Sequence, residues 1–73
     1  MRWNMRAERA RCGLSEREVA KRLGCHANQV SRWENGSAMP SGENLIKLSR
    51  LYGCKPDYLL YNSVERAGAK YHG

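Results

Sequence analysis

The chain of 73 residues carries 13 Lys and Arg against 7 Asp and Glu, a formal net charge of +6 and a pI of about 9.7. That length holds one domain with a small core, and it leaves little room to enclose a substrate pocket of even ~300 Å³, which counts against an enzyme. The charge points to an anionic partner, while no apolar run approaches the ~18 residues of a membrane span and MRWNMRAERA lacks the apolar stretch of a signal peptide.

Helix punctuation recurs along the chain, and strand signals are missing, so an all-α domain is expected. Asn4 is placed to cap a first helix that runs through Met5, Arg9 and Cys12 to Gly13. Ser15 followed three residues later by Glu18 is a capping box, opening a second helix that stops at Gly24. Within it Val19, Ala20 and Leu23 share one apolar face. A third helix begins at His26 and ends at Asn35-Gly36, a pair suited to a left-handed C-terminus.

Pro40-Ser41 starts a fourth helix with Ser41 as cap and Glu43 in its first turn, and Leu45, Leu48, Leu51 and Tyr52 form its inner face before Gly53. Pro56 fits the first turn of a short fifth helix bearing Tyr58, Leu59 and Tyr61. The expected division is a helical domain over 1–62 and a polar, flexible tail over 63–73. Cys12, Cys25 and Cys54 are odd in number and form no CxxC pair, which argues against a disulfide framework or a metal site. Each adjoins a glycine at a helix end, where a small apolar filler is expected.

The third helix is unusually short and polar. On a wheel of ~100° per residue, Val30, Trp33 and Glu34 fall on one side and Ala27, Asn28, Ser31 and Arg32 on the other, with Gln29 at the border. The join to the second helix is only Gly24-Cys25-His26, so the two helices should cross steeply as a helix-turn-helix. The outer face then has the size and chemistry to enter the major groove of duplex DNA, ~12 Å wide. Arg32 can donate two hydrogen bonds to guanine, Asn28 can give and accept with adenine, and Ala27 can meet a thymine methyl. Ser31 reads equally well as a base contact or as a solvent-facing residue. His26 is either a backbone-contacting residue at the helix start or a phosphate donor whose binding would strengthen on acidification. Trp33 is expected in the core, whereas the sequence does not settle Trp3.

At these residues the chain resembles a known family. LSEREVAKRLGCHANQVSRWENG (14–36) is similar to the helix-turn-helix core of the Xre family, the lambda repressor-like DNA-binding domains, and PSGENLIKLSRLYGCKPDYLL (40–60) to that family's fourth and fifth helices. The resemblance implies a five-helix fold whose third helix reads DNA, with base contacts at Ala27, Asn28, Ser31 and Arg32. It also implies phosphate contacts from Gln29, Asn35 and the backbone at Gly36, and an ion pair between Arg9 and Glu34. Members often carry glutamine on a phosphate where this chain has Glu16, and either Arg17 beside it or the helix N-terminus alone is the expected replacement contact. Many members also follow "ENG" with basic residues; here the turn is Ser37-Ala38-Met39.

The expected function is therefore sequence-specific binding of double-stranded DNA as a transcriptional regulator, most simply a repressor, in the bacterial cytoplasm at the nucleoid. One copy covers half an operator, so a homodimer on half-sites ~10 base pairs apart is expected, with Lys55 to Asn62, including Tyr58 and Tyr61, as the candidate self-contact. No catalysis, cofactor, metal, membrane or small-molecule ligand is expected. The alternative is a protein-interaction module, antitoxin-like or accessory, with weak DNA binding, for which Glu16 and the uncharged 37–39 turn speak.

Overall fold

The computed structural model describes residues 1–61. Four α-helices follow one another: α1 (Trp3–Arg11), α2 (Glu16–Leu23), α3 (Ala27–Asn35) and α4 (Gly42–Tyr52), and then a 3₁₀ turn over Asp57–Leu60. The expected flexible tail at 63–73 lies outside the described residues.

The local signals act where their chemistry requires. The Ser15 hydroxyl accepts from the Glu18 N–H at 3.0 Å, and Glu18 Oε1 accepts from the Ser15 N–H at 3.0 Å, closing the capping box of α2. Ser41 Oγ accepts from the Asn44 N–H at 3.2 Å at the start of α4. Gly24 turns the chain after α2 with φ +77°, a left-handed conformation in which a Cβ is costly. That turn brings α3 back onto α2, which packs on it more extensively than on any other element.

Two expectations need correction. Asn4 does not cap α1: the helix begins two residues earlier than that cap would place it, at Trp3, with Arg2 at the N-cap position and no side-chain cap. Asn4 is instead 1% exposed, and its Nδ2 donates to the Tyr58 carbonyl at 2.8 Å. A carbonyl carried by the 3₁₀ turn claims the amide, because a buried polar group must find a partner. The expected fifth helix is a single 3₁₀ turn, in which the Pro56 and Tyr58 carbonyls accept from Leu59 and Tyr61, each at 3.2 Å. Four residues are too few to offset the cost of nucleating an α-helix, so the tighter i→i+3 form is used.

The core takes Met5 from α1, Val19 and Leu23 from α2, Val30 and Trp33 from α3, Leu48 and Tyr52 from α4, and Leu59 from the 3₁₀ turn. Cys54 is buried among them, and Cys12 and Cys25 pack against the rim as free thiols. Leu45 and Leu51 are only partly buried. Tyr58 is also in the core, which removes it from the expected self-contact surface; Tyr61 stays 62% exposed. The Tyr58 ring is drawn in from the turn toward α1, where its hydroxyl donates to Glu8 Oε2 at 3.5 Å. Trp3 is half exposed, with the Arg6 guanidinium 5.9 Å from its ring centroid. Among the described residues no helix is long and apolar enough to cross a membrane.

Candidate nucleic-acid interface

The inner and outer faces of α3 are cleanly divided. Val30, Trp33 and Glu34 are at most 4% exposed. Asn28 and Arg32 are exposed, and Ala27 and Ser31 are half-buried on the same side. Each face follows from helical spacing: Val30, Trp33 and Glu34 differ by three and four positions and so point one way. The Asn28 amide and the Arg32 guanidinium stand out to meet an incoming surface, the Ser31 hydroxyl is half-covered, and the Ala27 methyl, expected to face outward, instead packs against the rim of the core.

The start of α3 is fixed without a capping side chain from His26. Gln29 Oε1 accepts from the His26 N–H at 3.0 Å. This uses the carbonyl end of an exposed residue expected at a phosphate and leaves its amide end as the donor. His26 holds the N-cap position in extended backbone, exposed to solvent.

The end of α3 is held by three elements. Asn35 Oδ1 accepts from the Ser37 N–H at 2.9 Å, bracing the turn at Gly36, which has φ +88°. The Ala38 N–H reaches back to the Arg32 carbonyl at 3.2 Å. The chain start closes over both. The Arg2 N–H donates to the Glu34 carbonyl at 2.6 Å, and Arg2 Nη1 donates to the carbonyls of Trp33 and Ala38, each at 2.7 Å. Sequence reasoning missed Arg2, since its partners lie 31 to 36 positions away and no local spacing announces them.

Beneath α3, Arg9 Nε donates to Glu34 Oε2 at 2.6 Å, and Arg9 Nη2 donates to Oε1 at 3.1 Å. A further bond, Arg9 Nη1 to the Leu14 carbonyl at 2.9 Å, ties the pair to the loop before α2. Burial pushes the Glu34 carboxyl up and nearby Glu16 adds to that, while the Arg9 guanidinium pulls it back down. The bond to Glu34 in turn raises Arg9. A two-pronged Arg–carboxylate bond of this geometry is an ion pair, and it locks α3 to α1.

Arg17 is exposed in the first turn of α2. Glu16 is half-buried and shares a concavity of about 330 Å³ with Arg6, Arg9, Ser31, Glu34 and Asn35. A carboxylate therefore stands beside two of the expected DNA-contacting residues, Ser31 and Asn35. Among the described residues no group of His, Cys, Asp and Glu is arranged to hold a metal.

Comparison with known proteins places this geometry. A helix-turn-helix family model matches residues 5–59. The chain is 34% identical over 68 residues to the repressor protein C2 of Salmonella phage P22, covering 93% of this chain and 32% of that protein. It is 35% identical over 52 residues to the HTH-type transcriptional regulator DicA of Escherichia coli, covering 71% and 38%. The chain thus spans about a third of the length of these curated relatives. Among solved structures it is similar to the P22 c2 repressor protein crystallised in complex with a synthetic operator in the presence of Tl⁺. That match has a TM-score of 0.73 and 36% identity over 81% of this chain and 89% of that one. With the family model spanning every element from α1 to the 3₁₀ turn, the chain belongs to the Xre-like, lambda repressor-like helix-turn-helix family.

Proposed function

We propose that the chain binds double-stranded DNA by sequence and regulates transcription, with α3 in the major groove. The observation that carries this is the division of α3, whose buried Val30, Trp33 and Glu34 leave Asn28 and Arg32 exposed on the opposite side. In this reading Ala27, Asn28, Ser31 and Arg32 meet base edges, Arg32 as a two-pronged donor to guanine. Arg17, Gln29 through its amide, and Asn35 with the backbone at Gly36 meet phosphates and set the register. Its relatives are named as repressors and regulators, and the solved neighbour was crystallised on operator DNA. Repression by covering a promoter in the bacterial cytoplasm is the mechanism that so small a module most simply allows. Two copies would read half-sites one turn apart, ~10 base pairs, with Tyr61 the exposed aromatic left to mediate self-contact. The reading includes no catalytic step.

Titrating fluorescent duplexes of random sequence at low and high salt, then selecting bound sites from a randomised library, tests it. The expected result is binding that falls steeply with salt and a palindromic motif. Glu16, beside Ser31 and Asn35, favours the other reading, a protein-interaction module with weak DNA binding. No binding at low salt, together with a protein partner recovered from lysate, would decide for it.

A further inference from the structure

α3 ends unlike its neighbours. At the close of α2 and α4 a glycine N–H returns to a carbonyl four residues back, Gly24 to Ala20 and Gly53 to Ser49. At the close of α3 the carbonyls of Trp33 and Glu34 are taken by Arg2, from the opposite end of the chain. One nitrogen of its guanidinium also holds Ala38, so a single side chain joins the last turn of α3 to the far side of the turn that follows. The same residue's Nη2 lies 3.4 Å from the Met39 sulfur. The Met1 backbone nitrogen lies 3.7 Å from where a Cβ on Gly36 would stand, so the chain start lies directly over that turn.

The turn that Arg2 holds has no charged side chain of its own over Ser37-Ala38-Met39. We propose that Arg2 is the positioning residue of the phosphate-facing turn over Asn35–Ser37. The proposal rests on the DNA-binding reading above. Two effects combine. A cation at a helix C-terminus is favoured by the partial negative charge of the unpaired carbonyls, so the guanidinium is held there. Both carbonyls are held by the two N–H bonds of a single nitrogen, whose directions are fixed by the guanidinium plane, whereas an ammonium on a flexible stem rotates freely. With Ala38 pinned to Trp33, and the Ser37 N–H already given to Asn35 Oδ1, the Gly36 N–H and the Asn35 Nδ2 have one arrangement to offer a phosphate. A turn already ordered loses less freedom on binding. The inward use of Nη1 also separates Arg2 from Arg32, whose exposed side chain is assigned to a base.

The test compares the parent, Arg2→Ala and Arg2→Lys on the duplex selected by the parent. Anisotropy is read at several salt concentrations, well below the melting temperature of the least stable protein. Circular dichroism verifies that each variant is folded. Arg2→Ala is expected to bind about tenfold more weakly, the equivalent of one lost charge-assisted hydrogen bond, with unchanged preference at the base read by Arg32. Arg2→Lys is expected to fall between, at least threefold below the parent. A methylphosphonate walked along the duplex supplies a second readout. The phosphate whose neutralisation weakens parent binding most through the turn should matter less in either variant, since the turn no longer holds it. A merely structural Arg2 would lower the melting temperature and leave the affinity of the folded protein and the methylphosphonate penalty untouched, which overturns the proposal. Parental affinity in Arg2→Lys overturns it as well, and that variant alone carries the test if Arg2→Ala does not fold. Failure of the parent to bind any duplex at low salt is a separate result, against the DNA-binding reading itself.

Discussion

α2 and the N-terminal half of α3 are organised by their own residues, whereas α1, the 3₁₀ turn and the C-terminus of α3 are organised by bonds to distant segments. In the first pair the caps are three residues apart, Ser15 with Glu18 and His26 with Gln29, and the buried faces follow helical spacing. In the second set the bonds cross the chain. Asn4 reaches the Tyr58 carbonyl, Tyr58 reaches Glu8, and Arg11 Nη2 donates to the Tyr52 carbonyl at 2.6 Å while its Nε bonds Glu8 at 2.9 Å. The half that would meet DNA is thus locally encoded up to the last turn of α3, which Arg2 closes, and the half behind it is a polar clasp. A helix whose outer face is reserved for a partner has only its inner face to bury, and local capping offsets part of that loss. Elements behind it are free to use buried charges, provided each is paired.

Glu34 joins the two halves, and removing it should have the largest effect on stability. Glu34→Ala leaves Arg9, 17% exposed at its side chain, without its carboxylate, a loss of about 3 kcal/mol for a broken buried pair. In a domain of this size that lowers the melting temperature by roughly 12 °C or more. Calorimetry of parent and variant measures it. A fall of only a degree or two would mean that α3 is held to α1 by apolar packing alone. The preferred DNA site, selected below the new melting point, should stay the same, because Glu34 faces inward.

Next comes the clasp itself. Asn4→Ala takes one of two donors from the buried Tyr58 carbonyl, which keeps the Tyr61 N–H, costing about 1 kcal/mol, read as a lower urea midpoint. If the comparison is right, the loss should appear first as faster amide exchange in α1 and the 3₁₀ turn, with α2 and α3 protected until global unfolding. Uniform loss of protection would show that the two halves are one cooperative unit. Arg32→Ala sits at the other extreme. On an exposed face it should change stability by no more than ~0.5 kcal/mol while costing ~1–3 kcal/mol on the selected duplex and relaxing preference at one base. Equal binding to all sequences by parent and variant would remove Arg32 from the reading set.

The same contrast explains what was legible in the sequence. The bounds of α2 and α3, the split of α3 into buried Val30, Trp33 and Glu34 and exposed Asn28 and Arg32, and the left-handed glycines were readable because each signal lies within one or two turns of its effect. Asn4 was misread because Asn ahead of an apolar pattern is a good cap, and nothing nearby reveals a carbonyl 54 positions on. Arg2 escaped notice for the same reason. Tyr58 looked like a surface aromatic in a short terminal helix until the shortening of that helix to one turn put it in the core. Polar contacts between distant segments have no period, so periodicity cannot find them.

The smallest expected effect probes the locally encoded half. The Ser15 backbone N–H, donating to Glu18 Oε1, and then the Ser15 hydroxyl hold the Glu18 carboxyl below its ordinary 4.5. A carboxyl whose folded value is depressed binds its proton more weakly in the folded chain than in the unfolded one. Its contribution is therefore complete above the ordinary value and is lost as pH falls through the folded one. Urea midpoints measured from pH 6 downward should show the parent losing its advantage over Glu18→Gln only below about pH 4.5, with the two curves converging at the acid end. Because Glu18 is exposed, added salt should shrink the gap without moving its pH position. A gap that persists unchanged to the lowest pH would mean that the carboxylate's charge does nothing for α2, and that the Ser15 hydroxyl alone starts the helix.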